Sequence, residues 1–214
     1  MKLLPYVLAF AALPYVLRQV RKPTKWTGRL FLWMMNRTHH GLTDWGLTHV
    51  AIAGNFTILD VGCGGGRTIG KLTALATEGM VYGVDYATGS VAASRARVKP
   101  GRVAIAQASV SHLPFPDNTF DLVTAVETQY YWPDLLKDML EIRRVLKPGG
   151  TLLVIAESYA KGSRATRFLN FARLSVVEHR GLFTAAGYQN VQVFEKSDKG
   201  WLSALGVKPH RTGG

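Results

Sequence analysis

The sequence is poor in cysteine and in acidic residues. Cys63 is the single cysteine among 214 residues, so no disulfide and no site of several cysteine ligands can form within the chain. This favours a reducing, cytoplasmic setting. The 14 Asp and Glu are outnumbered by 26 Lys and Arg, giving a formal net charge of +12. A basic excess suits an anionic membrane surface or a nucleic acid, and it equally serves solubility alone.

The chain has no apolar run long enough for a comfortable membrane span in its first residues. Leu3 to Leu17 is apolar but Pro14 would kink a helix there, and a span needs about 20 such residues. The run is followed by the basic residues Arg18, Arg21, Lys22 and Lys25. We predict that residues 1–25 form a helix that associates with the cytoplasmic face of a membrane. The alternative is a helix that packs on the rest of the protein.

Residues 26–53 carry apolar residues at helical spacing and predict a helical cap. Within it, His39 and His40 lie in a polar turn. Neighbouring side chains point in different directions, so the pair is a poor metal signal, and we predict no metal site. His39 is a candidate acid or base because imidazole titrates near neutrality.

A glycine-rich turn follows the apolar run 57–61 and reads Gly62-Cys63-Gly64-Gly65-Gly66-Arg67. A buried strand that delivers the chain to such a turn is typical of nucleotide binding. No Gly-Lys-Ser/Thr follows the glycines, which disfavours a P-loop. Arg67 stands where the third glycine of a dinucleotide fingerprint belongs, so that interpretation is weakened too.

From residue 54 onward strand-like and helix-like segments alternate. This alternation predicts an α/β fold with a doubly wound parallel sheet that binds ligand at the carboxyl ends of its strands. Asp60 and Asp85 close the first two strands, and Asp85 has the spacing of an acid that binds ribose hydroxyls. We predict strands over 57–61, 80–85, 102–106, 120–127 and 151–157.

Four ordered segments carry a family resemblance, at residues 58–66, 81–85, 113–123 and 144–152. With them the chain resembles the class I S-adenosylmethionine-dependent methyltransferases, in particular the small type 11 branch. The resemblance covers about half of the chain. It implies a seven-stranded, mostly parallel sheet ending in an antiparallel strand pair, here 191–195 and 201–205, in a cofactor-binding domain over 54–208.

The resemblance also implies a set of S-adenosylmethionine contacts. Asp60 would bind the amino group of the cofactor's methionine part, and the main chain of the glycines would contact that part. Asp85 would accept hydrogen bonds from the ribose hydroxyls. Ser109 stands where the family commonly has an adenine-binding Asp; the alternative is a loop serine that caps a turn. The residues implied for cofactor binding are Asp60, Gly62, Cys63, Gly64, Gly66, Asp85, Tyr86, Ser109, Val110 and Glu127.

The catalytic candidates follow from the reaction that the resemblance implies. Methyl transfer is an in-line displacement, so positioning dominates and a base is needed only for some acceptors. Glu127 and Tyr130 follow the fourth strand, and His112 and His39 are further acid or base candidates. The alternative for these residues is ordinary packing or a satisfied loop histidine.

We therefore predict an S-adenosylmethionine-dependent methyltransferase that acts on a small-molecule or amphiphilic, lipid-like acceptor, with the methylated atom left open. The alternative is a non-catalytic RNA- or protein-binding module on the same fold. Nucleic acid is disfavoured as a partner because no RNA-binding motif is present. An NAD-dependent oxidoreductase is disfavoured by Arg67 and by the segment 147–150. A further helix over 158–177 is expected to face the substrate, and nothing predicts an oligomeric state.

Overall fold

The computed structural model describes residues 40–99, 101–158 and 174–210. Its helices are α1 (His40–Leu47), α2 (Arg67–Leu75), α3 (Thr88–Arg97), α4 (Leu135–Val145) and α5 (Val176–Ala185). Its strands are β1 (Ile58–Val61), β2 (Val81–Asp85), β3 (Val103–Gln107), β4 (Phe120–Val126), β5 (Leu146–Glu157), β6 (Gln189–Lys196) and β7 (Trp201–Val207). A 3₁₀ turn spans Gln129–Tyr131.

The strands form one seven-stranded sheet in the order β3-β2-β1-β4-β5-β7-β6. Neighbours from β3 to β5 pair in parallel, whereas β7 pairs antiparallel with both β5 and β6. The predicted doubly wound sheet with an antiparallel C-terminal pair is therefore confirmed. The strand order reverses at β1, and this reversal is where such a sheet opens a crevice for ligand.

Each face of the sheet is covered by its own apolar cluster. Alternate side chains of a strand point to opposite faces, so Ile58 and Leu59, neighbours on β1, belong to different clusters. On the Leu59 face, the fully buried Phe120 contacts the rings of Tyr82 and Phe115 edge-on. Burial on both faces explains why β1 is apolar nearly throughout.

Two differences from the sequence prediction go beyond shifts of one or two residues at the strand ends. β5 begins at Leu146 instead of residue 151, because Leu146 pairs with Phe120 before an irregularity in the ladder. The predicted helix over 158–177 is wrong at its end, since Val176 opens α5 after a capping box of Ser175 and Glu178. Residues 159–173 lie outside the described part of the chain.

The helix α1 packs on the antiparallel side of the sheet. Gly46 lies so close to Ile155 of β5 that a Cβ there would stand 2.5 Å from that side chain, and Gly41 lies against the Trp201 ring. The predicted segment 1–25 lies outside the described residues. Among the helices that are described, none has the length and apolar character needed to cross a bilayer.

Candidate functional site

The loops that follow β1, β2 and β4 meet at the carboxyl edge of the sheet. The glycine turn follows β1, Asp85 is the last residue of β2, and Glu127 directly follows β4. Because β1 has β2 on one side and β4 on the other, these three loops surround the point where the strand order reverses. Most of the predicted site residues therefore lie at one edge of the sheet.

The glycine turn is fixed to β2 through its main chain. The N–H groups of Gly62 and Cys63 both donate to the Val84 carbonyl, at 2.8 and 3.0 Å. Gly62, Gly64 and Gly66 have φ values of 73°, 52° and 76°, which side chains with a Cβ rarely adopt. This backbone geometry accounts for the glycine-rich sequence.

Two of these glycines differ in what surrounds them. A Cβ on Gly62 would stand 2.1 Å from the Thr128 Oγ1, so the loop after β4 packs directly on the turn. A Cβ on Gly64 would meet nothing within 4 Å. The main chain at Gly64 therefore faces open space, in which a ligand can lie against the backbone.

Asp85 is oriented by the main chain on both sides. Its Oδ2 accepts from the Gly64 N–H at 2.9 Å, and its Oδ1 accepts from the Ala87 N–H at 2.8 Å. Burial raises the pKa of Asp85, while these hydrogen bonds act to lower it. Each carboxylate oxygen can accept a second hydrogen bond, so the group is oriented and can still accept from hydroxyls of a ligand.

Asp60 is buried at the end of β1, with 1% of its surface exposed. Its Oδ1 accepts from the Thr124 hydroxyl at 2.7 Å. Burial raises the pKa of Asp60 to about 7, the hydroxyl lowers it, and the charge of Asp85 raises it further. A cationic group bound beside Asp60 would favour its ionised form.

The Cys63 side chain lies on the core side of the turn. Its thiol is buried, and a Cβ on Gly83 would stand 3.1 Å from the sulfur. The thiol donates weakly to the Ser94 hydroxyl at 3.9 Å, and burial raises the pKa of the thiol. A cofactor contact at Cys63 would therefore come from its main chain.

The residues implied for the adenine side have mixed surroundings. The Ser109 hydroxyl accepts from the Ser111 N–H at 3.2 Å, and the Ser109 carbonyl accepts from the His112 N–H at 3.1 Å. Ser109 thus caps a tight turn. Val110 is buried in the core, whereas Tyr86 is 62% exposed at the cleft.

Glu127 and Tyr130 form a polar cluster at the end of β4. Glu127 has a φ of 54°, an uncommon conformation for its residue type that is concentrated at functional sites. Its Oε1 accepts from the Tyr130 hydroxyl at 2.8 Å and from the Glu157 N–H. The same phenol lies 3.2 Å from the Glu157 carbonyl, so its proton has two alternative acceptors.

The sequence pattern did not predict a buried, hydrogen-bonded pair next to this cluster, Gln129 and His179. Gln129, 3% exposed, places its Nε2 at 2.8 Å from the His179 Nε2. The His179 Nδ1 lies 3.0 Å from the Ser175 carbonyl. A carbonyl only accepts, so Nδ1 carries the proton and Nε2 accepts from Gln129. Burial lowers the pKa of His179, which favours this neutral form.

Of the two predicted histidines, the described one, His112, does not contact the cluster of Glu127 and Tyr130. His112 is exposed in the turn that Ser109 caps. It lies near Glu141 on α4, whose pKa is lowered mainly by the hydrogen bond from Arg144 and only slightly by His112. His39 lies outside the described residues. Across the ranges that the structure describes, no group of three His, Cys, Asp or Glu side chains could hold a metal ion.

The arrangement suits a ligand that combines a cation with a hydroxylated sugar. The cleft brings together three groups: the open main chain at Gly64, the oriented acceptor Asp85 at the end of β2, and the buried carboxyl of Asp60 near the end of β1. A separate acid and phenol, Glu127 and Tyr130, lie at the next strand. The cleft can therefore bind a nucleoside with an amino acid part beside a group able to take a proton.

Comparisons with known proteins bear on this cleft. A family described as a methyltransferase domain matches residues 59–154. An uncharacterized methyltransferase of Bacillus subtilis is 26% identical over 179 residues, which cover 83% of this chain and 97% of that protein. A demethylmenaquinone methyltransferase of Lactiplantibacillus plantarum is 34% identical over 126 residues, covering 56% of this chain and 53% of that one.

Solved structures share the fold. A SAM-dependent methyltransferase from Aquifex aeolicus matches with a TM-score of 0.66 at 23% identity, covering 77% of this chain and 88% of that one. The chain therefore spans most of some relatives, while it spans about half the length of the Lactiplantibacillus protein.

The open space at Gly64 predicts a loss of ligand affinity when it is filled. In Gly64→Ala, we expect S-adenosylhomocysteine to bind at least about tenfold more weakly in calorimetric titration. The alanine side chain would occupy the open space at residue 64 in which the ligand lies against the backbone. Gly101→Ala is the control. It also places a side chain at positive φ in open space, at a backbone cost of about 1–3 kcal/mol, and should leave affinity unchanged. Equal affinities of the two variants for S-adenosylhomocysteine would contradict the prediction that the ligand occupies the open space at Gly64.

The raised pKa of Asp60 predicts a pH-dependent stability. The folded chain binds a proton that the unfolded chain releases near pH 3.8, so the stability from Asp60 is lost as pH rises to about 7. Asp60→Asn keeps an acceptor for Thr124 and should remove this loss. Urea unfolding should show the variant gaining on the parent between these pH values, by about 2–4 kcal/mol in total. Parallel pH profiles of the two chains would exclude this account.

Proposed function

Since residues 59–154 match a methyltransferase domain and the fold is shared with a SAM-dependent methyltransferase, we propose that the chain methylates a small amphiphilic acceptor with a hydroxylated ring. The predicted family, enzyme class and cofactor are confirmed by the comparisons, which do not favour the non-catalytic alternative. The observation that carries the acceptor class is the pairing of Glu127 with Tyr130 at the end of β4. The Lactiplantibacillus relative, named for demethylmenaquinone, supports the same class.

On the cofactor side, the proposal assigns one role to each group of the cleft. The Gly64 main chain would lie along the methionine part, Asp85 would accept from the ribose hydroxyls, and Asp60 would hold the amino group. S-adenosylmethionine supplies an electrophilic methyl group on a sulfonium when bound. The residues of this chain bind and orient it, which is the larger part of catalysis in an in-line displacement.

On the acceptor side, Thr128 is packed on Gly62, so the loop that carries Tyr130 lies against the glycine turn. An acceptor hydroxyl next to Tyr130 would pass its proton toward Glu127, whose Oε1 already accepts from the phenol. The hydrogen bond between Gln129 and His179 fixes this loop to α5. A ring activated in this way can be methylated at oxygen or at carbon.

The membrane contact predicted for residues 1–25 belongs to this proposal. A quinol-like acceptor partitions into the bilayer, and a basic, apolar segment would bring the cleft to an anionic surface. The net charge of +12 agrees with that setting.

The test is turnover with a short-chain 1,4-naphthoquinol, followed by mass spectrometry of the product and by S-adenosylhomocysteine release. Glu127→Gln should lower kcat by at least about a hundredfold, as expected for loss of a general base, and Tyr130→Phe should lower it by at least about tenfold. Tyr131→Phe, a neighbouring tyrosine whose ring contacts Tyr130, is the matched control and should keep kcat.

Methylated naphthoquinol with the expected order of variants supports the proposal. Unchanged kcat in both Glu127→Gln and Tyr130→Phe would remove these residues from the chemistry. Turnover of an amine acceptor with none of the naphthoquinol would contradict the hydroxylated-ring class while leaving the methyltransferase class intact.

A further inference from the structure

A second cavity lies at the opposite edge of the sheet from the cofactor cleft. Its volume is about 570 Å³, within the range of small-molecule sites. Its walls come from the residues before β4, the end of α4, the start of β6 and the residues after β7. These segments lie at the amino ends of the parallel strands. The lining residues include Asn118, Leu140, Arg143, Lys208 and His210.

Arg143 lines this cavity with a guanidinium that pairs with no described carboxylate. Its Nε is buried and has no hydrogen-bond acceptor, and no carboxylate pairs with its guanidinium in the described part of the chain. The guanidinium lies over Gly187, where a Cβ would stand 3.2 Å from its Cζ. The guanidinium charge is therefore not neutralised by any described side chain, and an anion in the cavity would supply a counter-charge at its terminal N–H groups.

The neighbouring arginine, Arg144, differs from Arg143 because its guanidinium has hydrogen-bond acceptors. Arg144 donates to Glu141, to Asp117 and to two main-chain carbonyls. The single acid of the cavity wall, Asp117, is therefore already paired with Arg144. It does not neutralise Arg143.

The remaining walls add basic and apolar groups. The His210 imidazole lies against Gly149, where a Cβ would stand 3.0 Å from its Nε2, and the Lys208 ammonium donates to the Asn118 side chain. Leu140, 42% exposed, and two prolines supply apolar surface. The cavity thus combines the Arg143 guanidinium and other basic side chains with a small apolar surface.

We propose that this cavity binds a phosphate monoester with a small apolar body, and that Arg143 is its main anchor. A guanidinium presents parallel N–H donors that match phosphate oxygens, and the apolar wall would cover the organic part. The same headgroup chemistry occurs in a soluble metabolite and in an anionic lipid. The site is separate from the methyl-transfer cleft and does not depend on the proposed acceptor.

The test is calorimetric titration of the full chain, saturated with S-adenosylhomocysteine, with phenyl phosphate and with inorganic phosphate. We expect phenyl phosphate to bind more tightly than inorganic phosphate. Arg143→Gln should weaken it by about tenfold or more, the loss expected for hydrogen bonds to a charged group. The matched control is Arg97→Gln, since both arginines lie in the last turn of a helix and Arg97 is exposed elsewhere.

Vesicles that contain phosphatidic acid form the second arm. Arg143-dependent binding of vesicles in place of phenyl phosphate would support the site and assign a lipid source to its ligand. Equal binding by the parent and Arg143→Gln, or no binding of any probe, would overturn the proposal. Retained affinity for S-adenosylhomocysteine in Arg143→Gln verifies that the variant is folded.

Discussion

The hydrogen bond from the Gly64 N–H to Asp85 is the contact on which the proposed cofactor cleft depends. It joins the glycine turn after β1 to the end of β2, and the bonds of Gly62 and Cys63 to Val84 hold the same junction. The turn can take this path because its glycines adopt positive φ. It leaves the Gly64 main chain open and the Asp85 carboxylate oriented, so binding groups are in place before a ligand arrives.

A second constraint is the burial of ionisable groups at the same edge. Asp60 and Asp85 both have raised pKa values because they are removed from water, and the charge of Asp85 adds to the cost of ionising Asp60. A bound cation would relieve that cost, so under the proposed assignment cofactor affinity would depend on protonation at Asp60. On the loop after β4, the strained Glu127 and its phenol partner are held by Glu157 of β5. The proposed acceptor side is thus held by contacts different from those that hold the proposed cofactor side.

The sequence predicted well those features that local pattern encodes. Buried apolar runs, the glycine turn and the acids Asp60 and Asp85 fall where periodicity and spacing place them, because strands and tight turns are determined largely by nearby residues. Contacts between residues that are far apart in the sequence could not be predicted from it. The Gln129–His179 bond joins residues 50 apart, and the inward direction of the Cys63 thiol depends on packing under Gly83. Both are set by tertiary structure alone.

The most direct test of the account is calorimetric titration of the chain with S-adenosylhomocysteine. We expect the parent to bind, and Asp85→Ala to bind at least about tenfold more weakly because an oriented acceptor is lost. Asp198→Ala, which removes an exposed carboxylate in the turn between β6 and β7, should bind like the parent. Binding by the parent that Asp85→Ala leaves undiminished, or no binding at all, would contradict the central claim.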